Sequence, residues 1–228
     1  LDIANKHPDA AKRREADDLV ALLTPIVKAY LTDMGSEIAN ECMQVYGGHG
    51  YIAEWGMEQF VRDARIAQIY EGTNGIQALD LVGRKMGQNF GRNLRRFFHP
   101  VQKFIEENSN NPELSEFIFP TAKAFAKLQQ STAIIAQKGL KNPDEAGAAS
   151  SDYLRQFALV ALAYMWCLMV KAAQEKLTSD NSGDNEFLEA KLETARFYMQ
   201  RVLPEADAKF KMVMAGADTL MTLKEDQF

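Results

Sequence analysis

Between Leu19 and Val45 apolar residues return at helical spacing: Leu19, Leu22, Leu23, Ile26, Val27, Tyr30, Leu31, Met34, Ile38, Cys42 and Val45. A stripe this long needs other helices to cover it. Almost no stretch alternates with period two, the pattern of a half-buried strand, so the expected fold class is all-α. Thr24-Pro25 interrupts the stripe, and two readings stay open: an N-cap with proline at the first helical position, or a kink within one longer helix. Residues 1–18 read as a solvated connector and then a helix start. The stripe ends at Gly47-Gly48-His49-Gly50, where glycine disfavours further helix. A short helix is expected over about residues 57–65. Thr73 is placed to cap another, carrying Ile76, Leu79, Val82, Gly83 and Met86 on one face.

Beyond Gly87 and Gly91 the texture changes to long helical stretches rich in Phe and Ala, separated at 108–112, 141–151 and 178–185. These suit antiparallel helices in a second bundle. The expected domains are therefore residues 1–88 and 89–228. A chain of 228 residues can bury a real core in either one large or two small domains. The apolar run from Phe157 to Val170 falls short of the roughly 20 residues that span a bilayer, so it reads as a core helix and no membrane segment is expected. Cys42 and Cys167 lie in apolar helical sequence, the setting of buried reduced thiols, which favours a cytoplasmic location. The net charge of −5 argues against a general nucleic-acid binder.

His7, His49 and His99 are isolated and no Cys or His pair has ligand spacing, so no metal site is expected. The glycine cluster at 47–50 lacks a preceding strand and a Lys-Ser/Thr ending, and by itself reads as a helix-terminating turn. Glu71 precedes a helix start. It is either a charge that favours the positive end of the helix dipole, or part of a site whose open amides at 72–74 hold an anion or an enolate oxygen. Arg62, Asp63 and Arg65 are either phosphate ligands or a surface ion-pair cluster. The basic stretch Arg84, Lys85, Arg92, Arg95, Arg96 and Lys103 is either a phosphate-binding face or a solvated one.

Three ordered segments go further: Glu41-Cys42-Met43-Gln44-Val45-Tyr46-Gly47-Gly48-His49-Gly50-Tyr51-Ile52, Phe60-Val61-Arg62-Asp63-Ala64-Arg65-Ile66, and Ile69-Tyr70-Glu71-Gly72-Thr73-Asn74-Gly75-Ile76-Gln77. Together they resemble the C-terminal helical domain of the flavin-dependent acyl-CoA dehydrogenases, over roughly residues 20–86. Residues 90–228 resemble, in texture more than in motif, the additional helical domain of longer bacterial members, including those acting on 3-methylmercaptopropionyl-CoA.

The resemblance implies an FAD-dependent oxidoreductase of the kind that serves fatty-acid β-oxidation. Glu71 corresponds to the base that removes the α-proton of an acyl-CoA thioester while the β-hydrogen leaves as hydride to flavin N5. An α-proton of a thioester is a poor acid, so such a base must be well positioned and the enolate oxygen stabilised; the resemblance assigns that oxygen to the Glu71 N–H and a flavin hydroxyl. Gln44 and Gly48 correspond to contacts with the flavin pyrophosphate of a neighbouring subunit. Thr73 and Gly75 correspond to contacts with the flavin adenosine of their own subunit, Gly75 through its backbone alone. Tyr70 and Gly72 correspond to positions bordering the acyl thioester, and Arg62, Asp63 and Arg65 to a mainly structural motif. Implied partners are the acyl-CoA substrate, further copies in a homodimer or homotetramer, and an electron-transfer flavoprotein.

Relatives of this kind carry an N-terminal helical domain and a central β domain that are not in this sequence. The chain, which opens Leu-Asp-Ile, is therefore expected to be an N-terminally truncated piece of a larger enzyme, inactive alone. The rival expectation is a non-catalytic helical assembly module related to alkylation-response members of the family, with nucleic acid meeting the basic stretch.

Overall fold

The computed structural model describes residues 1–179 and 185–227. Every regular element among them is helical: α1 (Asp2–Lys6), α2 (Ala10–Val45), α3 (Met57–Ile66), α4 (Asn74–Asp80), α5 (Gln88–Asn108), α6 (Ser115–Gly139), α7 (Pro143–Thr178), α8 (Asn185–Phe197), α9 (Glu205–Ala215) and α10 (Asp218–Met221). No strand occurs among the described residues, so the all-α expectation holds. Of the separator expected at 178–185, residues 180–184 lie outside the described residues. The chain forms two compact units, Leu1–Asn93 and Leu94–Phe228.

In the first unit α2 is a single helix with Pro25 buried inside it, which selects the second reading of Thr24-Pro25. The Thr24 hydroxyl donates to the Val20 carbonyl at 2.7 Å rather than capping a new helix. The helix also starts earlier than expected: the Asp9 side chain accepts from the Ala11 amide at 2.7 Å, so the charged run before Asp18 is helical and not a connector. α2 packs against α3, α4 and the turn that follows α4. Leu22, Ile26, Ala29 and Tyr30 are buried there with Ala78, Leu81 and Met86. The rest of the long stripe is covered only in part: Leu19, Leu23 and Met34 are half-buried, and Val27, Leu31, Ile38 and Val45 are exposed. Cys42 shares that fate and is exposed, against the expectation of a buried thiol.

The face expected for α4 is also corrected. Ile76 and Leu79 are exposed, whereas Ala78, Leu81 and Met86 are buried. α4 meets α2 through its Ala78–Leu81 side, which leaves Ile76 and Leu79 outside, and a π turn over Leu81–Lys85 then carries the Met86 amide back to the Leu81 carbonyl at 3.0 Å. One added residue per turn moves Met86 beneath Leu81 and breaks the 3.6-residue register.

α5 contains a break at Asn89, Phe90 and Gly91, all with φ between 55° and 70°. Before it lies the first unit and, three residues after it, the second begins. In that second unit α7 is central, packing on α6, α8 and α9. Tyr153, Phe157, Leu159, Val160, Ala163 and Cys167 are buried on α7, with Phe117 and Leu128 of α6. Phe97 stacks on Phe157 with ring centroids 5.0 Å apart. α7 is long and apolar enough to cross a membrane by composition, yet half of its most apolar stretch is buried in this unit. That is the pattern of a core helix. The separator expected at 141–151 is mostly helix, because Asn142 caps α7 (3.1 Å to the Asp144 amide) and Pro143 takes the first helical position.

Candidate active site

The segment from Gln68 to Asn74 leaves α3 and enters α4 through two consecutive left-handed residues, Glu71 at φ 57° and Gly72 at φ 79°. Glycine suits that region, and a Cβ at residue 72 would sit 3.1 Å from the Gln77 Nε2 atom. Glutamate does not suit it, because its Cβ crowds the following carbonyl. The conformation is therefore held from outside. Gln77 Nε2 donates to the Glu71 carbonyl at 3.0 Å. The Lys28 ammonium on α2 donates to the Gly72 carbonyl at 2.8 Å and to Asn74 Oδ1 at 2.7 Å. The loop closes on itself where the Asn74 amide donates to the Gln68 carbonyl at 3.2 Å.

Asn74 is the hub. Its Nδ2 atom donates to Asp33 Oδ1 at 2.6 Å, Thr32 Oγ1 at 2.9 Å and the Ala29 carbonyl at 3.1 Å. Lys28 on the oxygen side and Asp33 on the nitrogen side fix which way the amide faces. Gln68 Nε2 also reaches Asp33 Oδ1, at 2.7 Å. Lys28, Thr32, Asp33, Gln68 and Asn74 are all half-buried, where such bonds are less diluted by water. Thr73 caps α4, its hydroxyl accepting from the Ile76 amide at 3.4 Å. The Glu71 carboxylate itself is exposed and bonded to nothing among the described residues, and neither is its amide. The main chain is thus held while the side chain stands open to solvent.

Tyr70, Glu71, Gly72, Thr73 and Gly75 are thus gathered in one exposed loop and helix start. Gln44 and Gly48 are not gathered with them. They lie at the far end of α2 and in the 3₁₀ turn Gly47–Tyr51, about 16 Å or more along the helix from the residue 28–33 contacts at 1.5 Å per residue. That turn fits its glycines: Gly47 is left-handed at φ 58°, and a Cβ at Gly50 would lie 2.4 Å from the Met43 carbonyl oxygen. Gly48 and Gly75 are both exposed; a side chain at Gly48 would stand in open space, and a Cβ at Gly75 would lie 4.0 Å from Thr73 Oγ1.

Arg62, Asp63 and Arg65 do not form the expected ion-pair cluster. Asp63 accepts from Gln59 at 2.7 Å and Arg65 donates to Gln68. Cations of the basic stretch are spent within the chain: Arg84 on Asp80 at 2.6 Å, Arg92 on Asp18 at 2.7 and 2.8 Å, and Lys103 on Glu107 at 3.6 Å. Sequence reading missed Lys28, Thr32, Asp33 and Gln68 altogether. The only signal was polar residues breaking the apolar stripe of α2 at adjoining positions.

Comparison with known proteins gives the class of protein to which this helical layer and its held Glu-Gly-Thr loop belong. Residues 7–86 match the family model described as the acyl-CoA dehydrogenase C-terminal domain, and residues 97–224 match the one described as acetyl-CoA dehydrogenase C-terminal like. The chain belongs to the acyl-CoA dehydrogenase family. It is 36% identical over 227 residues to the 3-methylmercaptopropionyl-CoA dehydrogenase of Ruegeria pomeroyi, covering 97% of this chain and 37% of that protein. It is 28% identical to a butyryl-CoA dehydrogenase of Syntrophomonas wolfei, covering 96% of this chain and 36% of the relative. The chain thus spans a little over a third of the length of these curated relatives. The crystal structure of Caenorhabditis elegans ACDH-11 in complex with C11-CoA superposes with a TM-score of 0.65 at 19% identity, covering 82% of this chain and 29% of that one, and shows the same fold.

Proposed function

We propose that this chain is the C-terminal part of an FAD-dependent acyl-CoA dehydrogenase, in which Glu71 is the base that takes the α-proton of an acyl-CoA thioester. The observation that carries the reading is the held backbone and open carboxylate of Glu71, a strained residue clamped through its own carbonyl and that of Gly72. Strain that is enforced from outside tends to mark a working residue. The Glu71 amide, open beside its own carboxylate, is a donor suited to the oxygen on which charge develops as the α-proton leaves. Tyr70 and Gly72 border the thioester on either side.

The residues available suit FAD: exposed Gln44 and the bare, exposed backbone of Gly48 for a pyrophosphate, and the Thr73 and Gly75 main chain at the start of α4 for the adenosine portion. When bound, FAD supplies the acceptor for the β-hydride. Glu71 holds the proton at its carboxylate oxygen until product leaves. In the intact enzyme, residues 1–88 form the catalytic helical layer and residues 89–228 an added helical domain. The enzyme works as a homodimer or homotetramer and passes electrons to an electron-transfer flavoprotein. The engaged cations of the basic stretch favour this reading over a nucleic-acid-binding module.

The test is Glu71→Gln in the complete polypeptide. General-base removal is worth about 10²–10⁴-fold in rate, so dehydrogenation of a saturated acyl-CoA should fall at least that far with bound flavin unchanged. Activity within threefold of wild type rejects Glu71 as the base.

A further inference from the structure

We infer that Lys28 is a positioning residue for the Glu71 base, acting from α2 through the Gly72 carbonyl and the Asn74 side chain rather than by touching substrate. The inference rests on the assignment of Glu71 above and adds how that carboxylate is aimed. Three observations carry it. The Lys28 ammonium makes two charge-assisted bonds, at 2.8 Å to the Gly72 carbonyl and 2.7 Å to Asn74 Oδ1, and these bracket the left-handed pair Glu71-Gly72 on its C-terminal side. Asn74 passes the restraint on to Asp33 at 2.6 Å, and Asp33 also takes Gln68 at 2.7 Å, so both ends of the loop are tied to one short stretch of α2. The Glu71 carboxylate has no partner of its own among the described residues, so what the chain fixes is the position and direction of its Cα–Cβ bond, and these are set by the held backbone.

The geometry has a consequence for rate. Proton abstraction from carbon needs the base within a few tenths of an ångström of its working position, and a shift of about 1 Å can cost roughly 10²-fold. With Lys28 removed, the Gly72 carbonyl and Asn74 lose their shared cation, and a left-handed glutamate relaxes towards ordinary backbone angles. The carboxylate then spends most of its time misdirected. Proton transfer depends on this aim far more steeply than retention of the thioester beside Tyr70 and Gly72 does, so kcat falls more than KM rises.

The experiment compares Lys28→Met, Lys28→Gln and Glu71→Gln in the complete flavin-loaded polypeptide. Three readouts are taken: kcat and KM with a saturated acyl-CoA, α-proton exchange into deuterated water from a 3-thia-acyl-CoA, and melting temperature. Lys28→Met is expected to lower kcat and the exchange rate together by 10- to 100-fold, with KM within threefold and melting within about 3 °C of wild type. Lys28→Gln keeps a shorter, uncharged donor and should fall three- to tenfold, which decides the matter if the methionine variant does not fold. Wild-type kcat and exchange in a folded Lys28 variant, alongside an inactive Glu71→Gln, overturns the positioning role while leaving the base in place. An active Glu71→Gln overturns the base itself.

Discussion

The left-handed backbone at Glu71 costs a residue with a Cβ about 1–2 kcal/mol, which the bonds from Gln77 and Lys28 offset. Glycine adopts the same angles without that cost but gives back about 0.4–1 kcal/mol in unfolded-chain entropy. Glu71→Gly should therefore raise stability by about 0.5–1 kcal/mol, seen as a higher urea midpoint, while removing the proposed base; a lower midpoint would show that the residue is unstrained. The cysteines make a second case at this scale. Cys167 is buried beside the Thr121 hydroxyl at 3.3 Å, and burial pushes its thiol up to about 11 from an ordinary 9.0. Cys42 is exposed. A thiol reagent at pH 8 should label Cys42 at once and Cys167 only after unfolding. Because folding raises the Cys167 value, the folded state binds more protons than the unfolded one between pH 9 and 11. The stability it contributes is whole below pH 9 and lost as pH climbs to 11, on the order of 2–3 kcal/mol. Cys167→Ala should flatten that alkaline slope in urea titrations; an unchanged slope would assign it to other groups, such as buried Tyr153, whose pKa burial also raises.

Elements written by local signals were legible in the sequence: the helical run of α2 from Leu19 on, its end at the glycine cluster, and the Thr73 cap all rest on residues a few positions apart. One local signal was overlooked. Asn142-Pro143-Asp144-Glu145 is a cap, a first-position proline and two acids for the helix dipole, yet it reads at first sight as a loop. Asn142→Ala should cost about 1 kcal/mol, measurable by chemical denaturation, as loss of an N-cap does elsewhere; a change below about 0.3 kcal/mol would put the start of α7 under tertiary control. What periodicity could not supply is which flank of a stripe is covered. Val27, Leu31 and Ile38 are as apolar as Leu22 and Ile26, and only the positions of α3 and α4 separate them. Nor could it foresee the π turn at Leu81–Lys85, which a 3.6-residue rule steps over. The candidate site divides the same way. Residues 70–75 stood out as a motif, whereas the clamp from Lys28, Thr32 and Asp33 joins positions more than 40 apart in sequence, except for the Gln68 contact at 35, and belongs to tertiary structure.

At the scale of the whole molecule, the two units solve different problems. In the unit Leu94–Phe228 the apolar faces of α7 are largely met by α6, α8 and α9, and ion pairs tie α9 down: Arg155 to Glu205, Lys209 to Asp152 at 3.0 Å, and Lys127 to Asp207 at 2.7 Å. The unit Leu1–Asn93 leaves much of the α2 stripe in solvent, so it has less apolar burial to draw on and depends more on each polar tie. Arg92 and Asp18 form the clearest one, a two-pronged pair in which the aspartate side chain is 5% exposed and which joins positions 74 apart. Removing the guanidinium takes a two-pronged partner from a desolvated carboxylate, which costs more than the pair was worth; replacing both partners by apolar groups does not. Arg84, paired with Asp80 one turn away and largely solvated, is the natural control. Arg92→Met should therefore speed amide hydrogen exchange across α2 and α4 clearly more than Arg84→Met, with α7 amides unchanged. Asp18→Leu combined with Arg92→Met should restore at least half of the lost protection. Equal effects of the two arginine variants would place the stability of this unit in its partial apolar core, and would mean that the charge buried at Asp18 is tolerated without the guanidinium of Arg92.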